Sequence, residues 1–439
     1  MRTLFAHGQA WRLLAAVAAC VLIFHSPLIF NPGYLSHDEL QWAYQATQHQ
    51  GPAFVNGLWR DVHAFQYRPL TFSLWMLVSR QFFDHPFAFH AIIVAAGALN
   101  AGLLSIALFR AGAGVRASFA AGLLFGLGPY ATYVHGWVAI IADLIWVFCT
   151  LAIALATMHS KHRWLIWIAS LVLTSSALLA KESAVVIPAL LALAWLFSGR
   201  QRAWAEATAF AAVPVITYLS IRLHTILTGA PSGSPYTWHL SVIPSNWLKY
   251  QLYPVAIDKF GTEGVRALAP IVVIWGLMLL ALWRAHSRYV FALLLFGAAA
   301  LGPVLIVQPA AWYGYGYSAV MAAVVALAWT HMKRWGHLAV SLFACIGFLH
   351  SVNLMRIIHD AGVKQSRFSP ALAAALEKSD GQPVVLSVKN EKDRWIYIRM
   401  THDIPAYDGV KMGENVKLAE GSEAANYQVQ EDGSLKRLP

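Results

Sequence analysis

The chain has 439 residues, 58% of them hydrophobic and only 12% charged, with a mean hydropathy of +0.53. A soluble domain carries about 25% charged residues, so this composition leaves too little polar surface to face water over such a length. The formal net charge is +11, but the basic residues sit in short turns between apolar runs and form no stripe interleaved with aromatics, which excludes nucleic acid as a partner and points to membrane topology.

Apolar stretches near 20 residues predict membrane spans. In chain order they cover about 11–30, 87–109, 117–134, 138–158, 163–180, 184–198, 205–223, 268–283, 289–307, 317–331 and 336–354. The first follows Arg2 and Arg12. Its length, the lack of a small-x-small cleavage site and the many later spans make it a retained anchor rather than a signal peptide. Cys20, Cys149 and Cys345 each lie inside an apolar run without metal-type spacing, so they read as buried helix residues. His90 and Asn100, in the second span, read as helix–helix hydrogen-bonding residues.

Charge alternation tests this order. Arg2 and Arg12, Arg110 and Arg116, Lys161 and Arg163, Arg200 and Arg202, Arg284 and Arg288, and Lys333 and Arg334 occupy every second turn. By the positive-inside rule these turns are cytoplasmic, with the N-terminus inside and the C-terminus extracytoplasmic, in a plasma or bacterial inner membrane. The opposite face holds two long loops, 31–86 and 223–266, and most acidic residues outside the tail: Asp38, Glu39, Asp61, Asp84, Asp143, Glu182, Asp258 and Glu263. Within the first loop, Tyr67 to Phe83 has helical apolar spacing and reads as an interfacial helix.

The expected architecture is an all-α polytopic membrane protein of about eleven transmembrane helices, residues 1–355, followed by a small extracytoplasmic α+β tail, 356–439. In the tail, Ser369–Lys378 reads as a short helix, and Pro383–Val388, Arg394–Met400 and Tyr427–Val429 read as strands. There is no P-loop, no GxGxxG at a strand–helix junction and no internal repeat.

Chemistry is expected on the acidic face. Ser36-His37-Asp38-Glu39 places two adjacent carboxylates just after the first span, where they are costly unless solvated or used. One could act as general base on an acceptor hydroxyl; the same residues also suit a helix N-cap. They could supply ligands to a divalent metal, although no full ligand set is visible. Arg68, in Tyr67-Arg68-Pro69-Leu70, offers a planar fork to phosphate or to lipid headgroups. Asp143, near the outer end of the fourth span beyond Trp137, suits either a functional site or a pairing between helices. Lys181-Glu182 interrupts apolar sequence; Lys181 could neutralise a leaving phosphate or lie in an exposed turn. Arg222 is a further outer-face cation.

The order of these pieces resembles the C-type (GT-C) integral membrane glycosyltransferases, closest to the protein O-mannosyltransferase branch and its bacterial relatives. The resemblance covers about residues 11–200. It rests on the acidic pair after the first span, Tyr67-Arg68-Pro69-Leu70, His90 and Asn100, Gly128-Pro129, Trp137 with Asp143, and Ala180-Lys181-Glu182 with Pro188. Two positions depart from the family: its Arg-Ala-Asp is Ile141-Ala142-Asp143 here, and its His-Pro is Gly128-Pro129.

The resemblance implies a sugar donor carried on a polyprenyl phosphate, an acceptor hydroxyl on glycan, lipid or protein, and inverting transfer outside the cytoplasm. It maps the family's acidic residue, which is the base or positions the acceptor, onto Asp38, with Glu39 beside it. Arg68, Lys181 and Arg222 would then face the donor phosphate, and His37, Tyr67, Trp137, Asp143 and Glu182 the substrates. The competing expectation is a transporter or flippase of a lipid-linked or polar solute, which would show internal symmetry and charges near the membrane midplane.

Overall fold

A computed structural model describes residues 2–231, 234–379, 381–420 and 423–439. Among them, seven helices are long and apolar enough to cross a membrane: Pro86–Arg110, Val138–His159, Arg163–Ala180, Arg202–Thr228, Ser287–Val304, Ala311–Trp329 and Arg334–Glu377. Four shorter apolar helices, Gly8–Phe24, Val115–Gly126, Glu182–Phe197 and Ala269–Ala285, complete the series. Each expected apolar stretch falls on one of these helices, except that 117–134 extends past Val115–Gly126 into a further short helix. Pro86–Arg110 and Ala311–Trp329 are 67% and 72% buried in their most apolar windows, against 22% for Arg202–Thr228. The first two therefore form the centre of the bundle and the last its rim.

Three elements differ from the sequence expectation. The stretch 117–134 is broken. Its helix ends at Gly126, Gly128 is extended (φ −75°, ψ 161°), and Pro129 starts a separate helix, Pro129–Gly136, in which every residue is buried. Proline lacks the N–H that would continue the ladder and is suited to a helix's first turn. The last stretch does not end near 354. It continues as one 44-residue helix, Arg334–Glu377, so the expected tail boundary at 356 falls inside it and the expected helix Ser369–Lys378 is its final turns. Finally, Arg394–Met400, expected as a strand, belongs to a helix, Arg394–Thr401. Ile396, Tyr397 and Met400 are buried while Ile398 is 46% exposed; a strand would have put 396, 398 and 400 on one face.

The expected strands at 383–388 and 427–429 are present. β1 (Val384–Val388), β2 (Ala406–Tyr407), β3 (Val410–Lys411), β4 (Val416–Leu418), β5 (Tyr427–Val429) and β6 (Leu435–Arg437) form two sheets. The larger has the order β4-β1-β5-β6, with β1 parallel to both neighbours and β5 antiparallel to β6. β2 and β3 form a separate antiparallel pair. Helix Arg394–Thr401 lies in the crossover between parallel β1 and β4.

The long helix joins this tail to the first loop, which contains helices His37–Gln48, Pro52–Arg60 and Pro69–Phe82. Asn31 Nδ2 donates to the Ile358 carbonyl at 3.2 Å, and Tyr34 N–H donates to Gln365 Oε1 at 2.9 Å. Gly33 lies against the Gly362 carbonyl with no room for a side chain. Lys364 reaches Asp360 at 2.8 Å and Asp393 at 2.9 Å, and the Phe368 and Tyr397 rings are 4.9 Å apart. Gln41 Nε2 donates to the Asp403 carbonyl at 2.7 Å. These contacts press helix Arg394–Thr401 onto the start of helix His37–Gln48.

Candidate active site

Ser36 is the extended residue before helix His37–Gln48, and Asp38 and Glu39 fall in its first turn. The unpaired N–H groups there favour negative charge. The two carboxyls have different surroundings. Asp38's side chain is 32% exposed; it lies 3.5 Å from His37 Nε2 and accepts from Ser36 Oγ at 3.4 Å. Burial lowers the His37 imidazole below its ordinary range, against the pull of Asp38. Glu39 is 2% exposed, and neither of its carboxyl oxygens has a hydrogen-bond partner among the described residues. Burial, then the neighbouring Asp38, push its carboxyl well above the ordinary value of 4.5; nearby backbone amides and Arg399 pull the other way without reversing it.

Arg399 comes from the tail. Its Nη2 donates to Ser36 Oγ at 2.9 Å, its guanidinium lies 4.7 Å from the Trp137 ring centre, and its Nε is buried without a partner among the described residues. The Trp137 indole N–H is likewise buried and unpartnered there.

A second cluster lies where helix Arg163–Ala180 ends. Lys181 is extended, and a 3₁₀ turn, Glu182–Val186, follows it. The chain reversal sends these adjacent side chains to different partners. Lys181 donates to Asp143, the two side chains being 4% and 3% exposed. Asp143 also accepts from Trp146 Nε1 at 3.2 Å. Glu182 accepts from Arg68 Nε at 2.7 Å, about one-fifth of each side chain being exposed. Thr71 Oγ1 donates to the Ala180 carbonyl at 2.8 Å and Trp75 Nε1 to the Val138 carbonyl at 3.1 Å, latching helix Pro69–Phe82 in place and delivering Arg68 from its N-cap.

Aromatic rings connect the clusters. Trp137 meets Trp312 edge-on at 4.8 Å, Trp312 is 5.3 Å from Tyr313, and Lys181 Nζ lies 4.8 Å from the Tyr313 ring centre. Tyr133 packs against both tryptophans, at 6.0 and 5.9 Å. The structure thus brings together Asp38, Glu39, His37 and Trp137 at one end of this wall, and Asp143, Lys181, Arg68 and Glu182 at the other.

Arg222 departs from the phosphate-facing expectation. It is 1% exposed and donates to the carbonyls of Val62, Ala64 and Phe65, while lying over the Tyr67 and Tyr218 rings. Tyr67 OH in turn donates to the Trp59 carbonyl at 3.0 Å. Arg222 and Tyr67 hold the loop in front of Arg68; three carbonyls already engage the guanidinium. Sequence reasoning missed Arg399, which is 363 positions from Ser36 and had no local signal. It also gave Trp312 and Tyr313 no role, although they lie in an aromatic run conspicuous in the sequence.

Among the described residues, no group of three or more His, Cys, Asp or Glu side chains is placed to hold a metal ion. An apolar groove of about 500 Å³ lies apart from both clusters, lined by Leu124, Leu127, Pro129, Tyr130, Phe343 and Phe348 among others. No family model matches the chain, and neither a curated protein nor a solved structure matches it.

Proposed function

We propose that the chain is a membrane glycosyltransferase of the C-type superfamily, moving a sugar from a polyprenyl-phosphate donor to an acceptor hydroxyl with inversion. The observation that carries this reading is an acidic end joined by one aromatic wall to an end where Arg68 and Lys181 are each paired with a carboxylate. Displacement at an anomeric carbon needs a base on the acceptor side and positive charge on the departing phosphate. In this reading all eleven apolar helices cross the membrane. The basic turns are cytoplasmic, and the site lies at the opposite, extracytoplasmic ends of the helices.

The two carboxyls divide the work because their environments differ. Glu39, held protonated by burial, is a neutral hydrogen-bonding group. Asp38, reachable from solvent, takes the proton from the acceptor hydroxyl as that oxygen attacks the anomeric carbon and the bond to the phosphate oxygen breaks. Arg68 and Lys181 then face the negative charge growing on the phosphate. Each is paired in the free protein, with Glu182 and Asp143 respectively, so donor binding exchanges one anionic partner for another. The donor's polyprenyl chain lies along apolar helix faces.

The test is transfer in proteoliposomes from a radiolabelled mixture of polyprenyl-phosphate sugars. Transfer by the natural chain, and its loss in a folded Asp38→Asn variant, is the expected result. The buried polar chain inside the bundle favours a second reading, a transporter or flippase: His25 Nδ1 lies 3.0 Å from His135 Nδ1 and its Nε2 3.0 Å from Thr132 Oγ1. Labelled lipid crossing the bilayer without any transfer would establish that reading instead.

A further inference from the structure

The acidic end of the wall has an excess of buried hydrogen-bonding capacity. Both oxygens of Glu39, the indole N–H of Trp137 and the Nε–H of Arg399 have no partner among the described residues. Glu39 and Trp137 are 2% and 6% exposed. Buried polar groups are ordinarily paired, so a cluster of them left over calls for an explanation, a bound group being one. Here they are contributed by three separate segments: the first helix of the outer loop, the turn before helix Val138–His159, and the tail.

The chemistry of the set restricts the occupant. Glu39 needs hydroxyls or N–H groups to approach it. Arg399 and Trp137 need acceptors. A phosphate would satisfy the donors and leave the carbonyl oxygen of the neutral Glu39 carboxyl unmet. An ammonium would satisfy the carboxyl and leave the donors unmet. A hydrocarbon would satisfy neither. A group of adjacent hydroxyls, each able to donate and accept, meets all of them. The half-buried Trp312, edge-on to Trp137, adds an apolar wall suited to the C–H face of a sugar ring.

We propose that Glu39, Trp137 and Arg399 form a subsite for a pyranose ring of the acceptor, so that the acceptor is a glycan or glycolipid rather than a protein side chain. This rests on the transferase reading for the word acceptor, while the sugar site itself does not. Arg399 is then a substrate-positioning residue supplied by the tail: its guanidinium is fixed by Ser36 and the Trp137 face, leaving Nε to meet a ring oxygen or hydroxyl.

The experiment uses the full chain in nanodiscs and saturation-transfer NMR with methyl glycosides of glucose, galactose and mannose, with inorganic phosphate as competitor. At least one glycoside should give a saturable signal that phosphate does not displace. Arg399→Gln and Glu39→Ala should each weaken it at least tenfold, with melting temperatures reported beside it to show that both are folded. Arg399→Lys, which keeps the charge but lacks Nε, should also lose most of the signal. Where transfer is measurable, Arg399→Gln should raise the acceptor KM and leave the donor KM unchanged. No glycoside signal, displacement by phosphate, or full binding by the folded Arg399→Gln and Arg399→Lys variants would overturn the subsite. Glycoside binding lost in these variants, with no transfer from any donor, would uphold the subsite and overturn the transferase reading.

Discussion

The buried pair Asp143–Lys181 and the exposed pair Arg367–Asp432 show how much a charge's surroundings decide. The first has side chains 3–4% exposed; the second has side chains 55% and 51% exposed. Removing one member of a buried pair leaves an uncompensated charge in a poorly solvated place and costs roughly 3–5 kcal/mol. An exposed pair is worth about 0–1 kcal/mol. Lys181→Met or Asp143→Asn alone should therefore lower the melting temperature in detergent by many degrees. The double variant Lys181→Met/Asp143→Leu should recover most of the loss, and Arg367→Gln should barely move it. A single Lys181→Met variant melting like the natural protein would show that the pair is not held as described. Of the residues in the acidic and cationic clusters, those carried by short local signals were legible in the sequence, namely the acidic pair, Arg68, Asp143 and Lys181. Arg222 was named from its residue type and its expected face alone. Only the fold shows that three backbone carbonyls already surround it.

At the scale of elements, some helix contacts depend on a glycine whose missing side chain leaves room for a ring. A Cβ on Gly97 would overlap the His135 imidazole, and one on Gly316 would overlap the Trp146 indole that hydrogen-bonds Asp143. Gly276, in helix Ala269–Ala285, has open space around it. The two sites predict opposite signs. Gly97→Ala forces helices Pro86–Arg110 and Pro129–Gly136 apart and should destabilise by about 1–3 kcal/mol, the usual cost of overpacking. Gly276→Ala should be neutral or stabilising by about 0.5–1 kcal/mol, because alanine restricts the unfolded chain and favours helix. Thermal melting of the two variants side by side checks the contrast.

Hydropathy located the eleven apolar helices named above because burial in a bundle and burial in lipid demand the same side chains. It misplaced the end of the last one because a fall in hydropathy marks where a helix leaves an apolar setting, while the helix itself runs on, through Pro370, to Glu377. Arg394–Thr401 was misread because Trp395, Ile396, Tyr397 and Ile398 favour strands by type, while the packing of Ile396, Tyr397 and Met400 follows a helical face.

Across the whole molecule, the tail and the bundle share one continuous backbone rod. With a rise of about 1.5 Å per residue and a turn of about 100°, every residue of Arg334–Glu377 has its height and direction fixed by the ones before it. Inserting one alanine after Asp360 would swing Lys364, Gln365 and Phe368 away from Asp393, Tyr34 and Tyr397. Amide exchange through 384–429 should then rise while exchange in Pro86–Arg110 stays unchanged; an unaltered tail would show that its seating does not depend on the rod. The rod also serves as a gauge. Its 44 residues span about 66 Å, roughly twice the hydrocarbon thickness of a bilayer at about 30 Å. The alignment of Arg399 over Trp137 is therefore measured against the protein's own skeleton rather than against the lipid. Thinning or thickening the surrounding bilayer would tilt the assembly as one piece and leave that calibration intact.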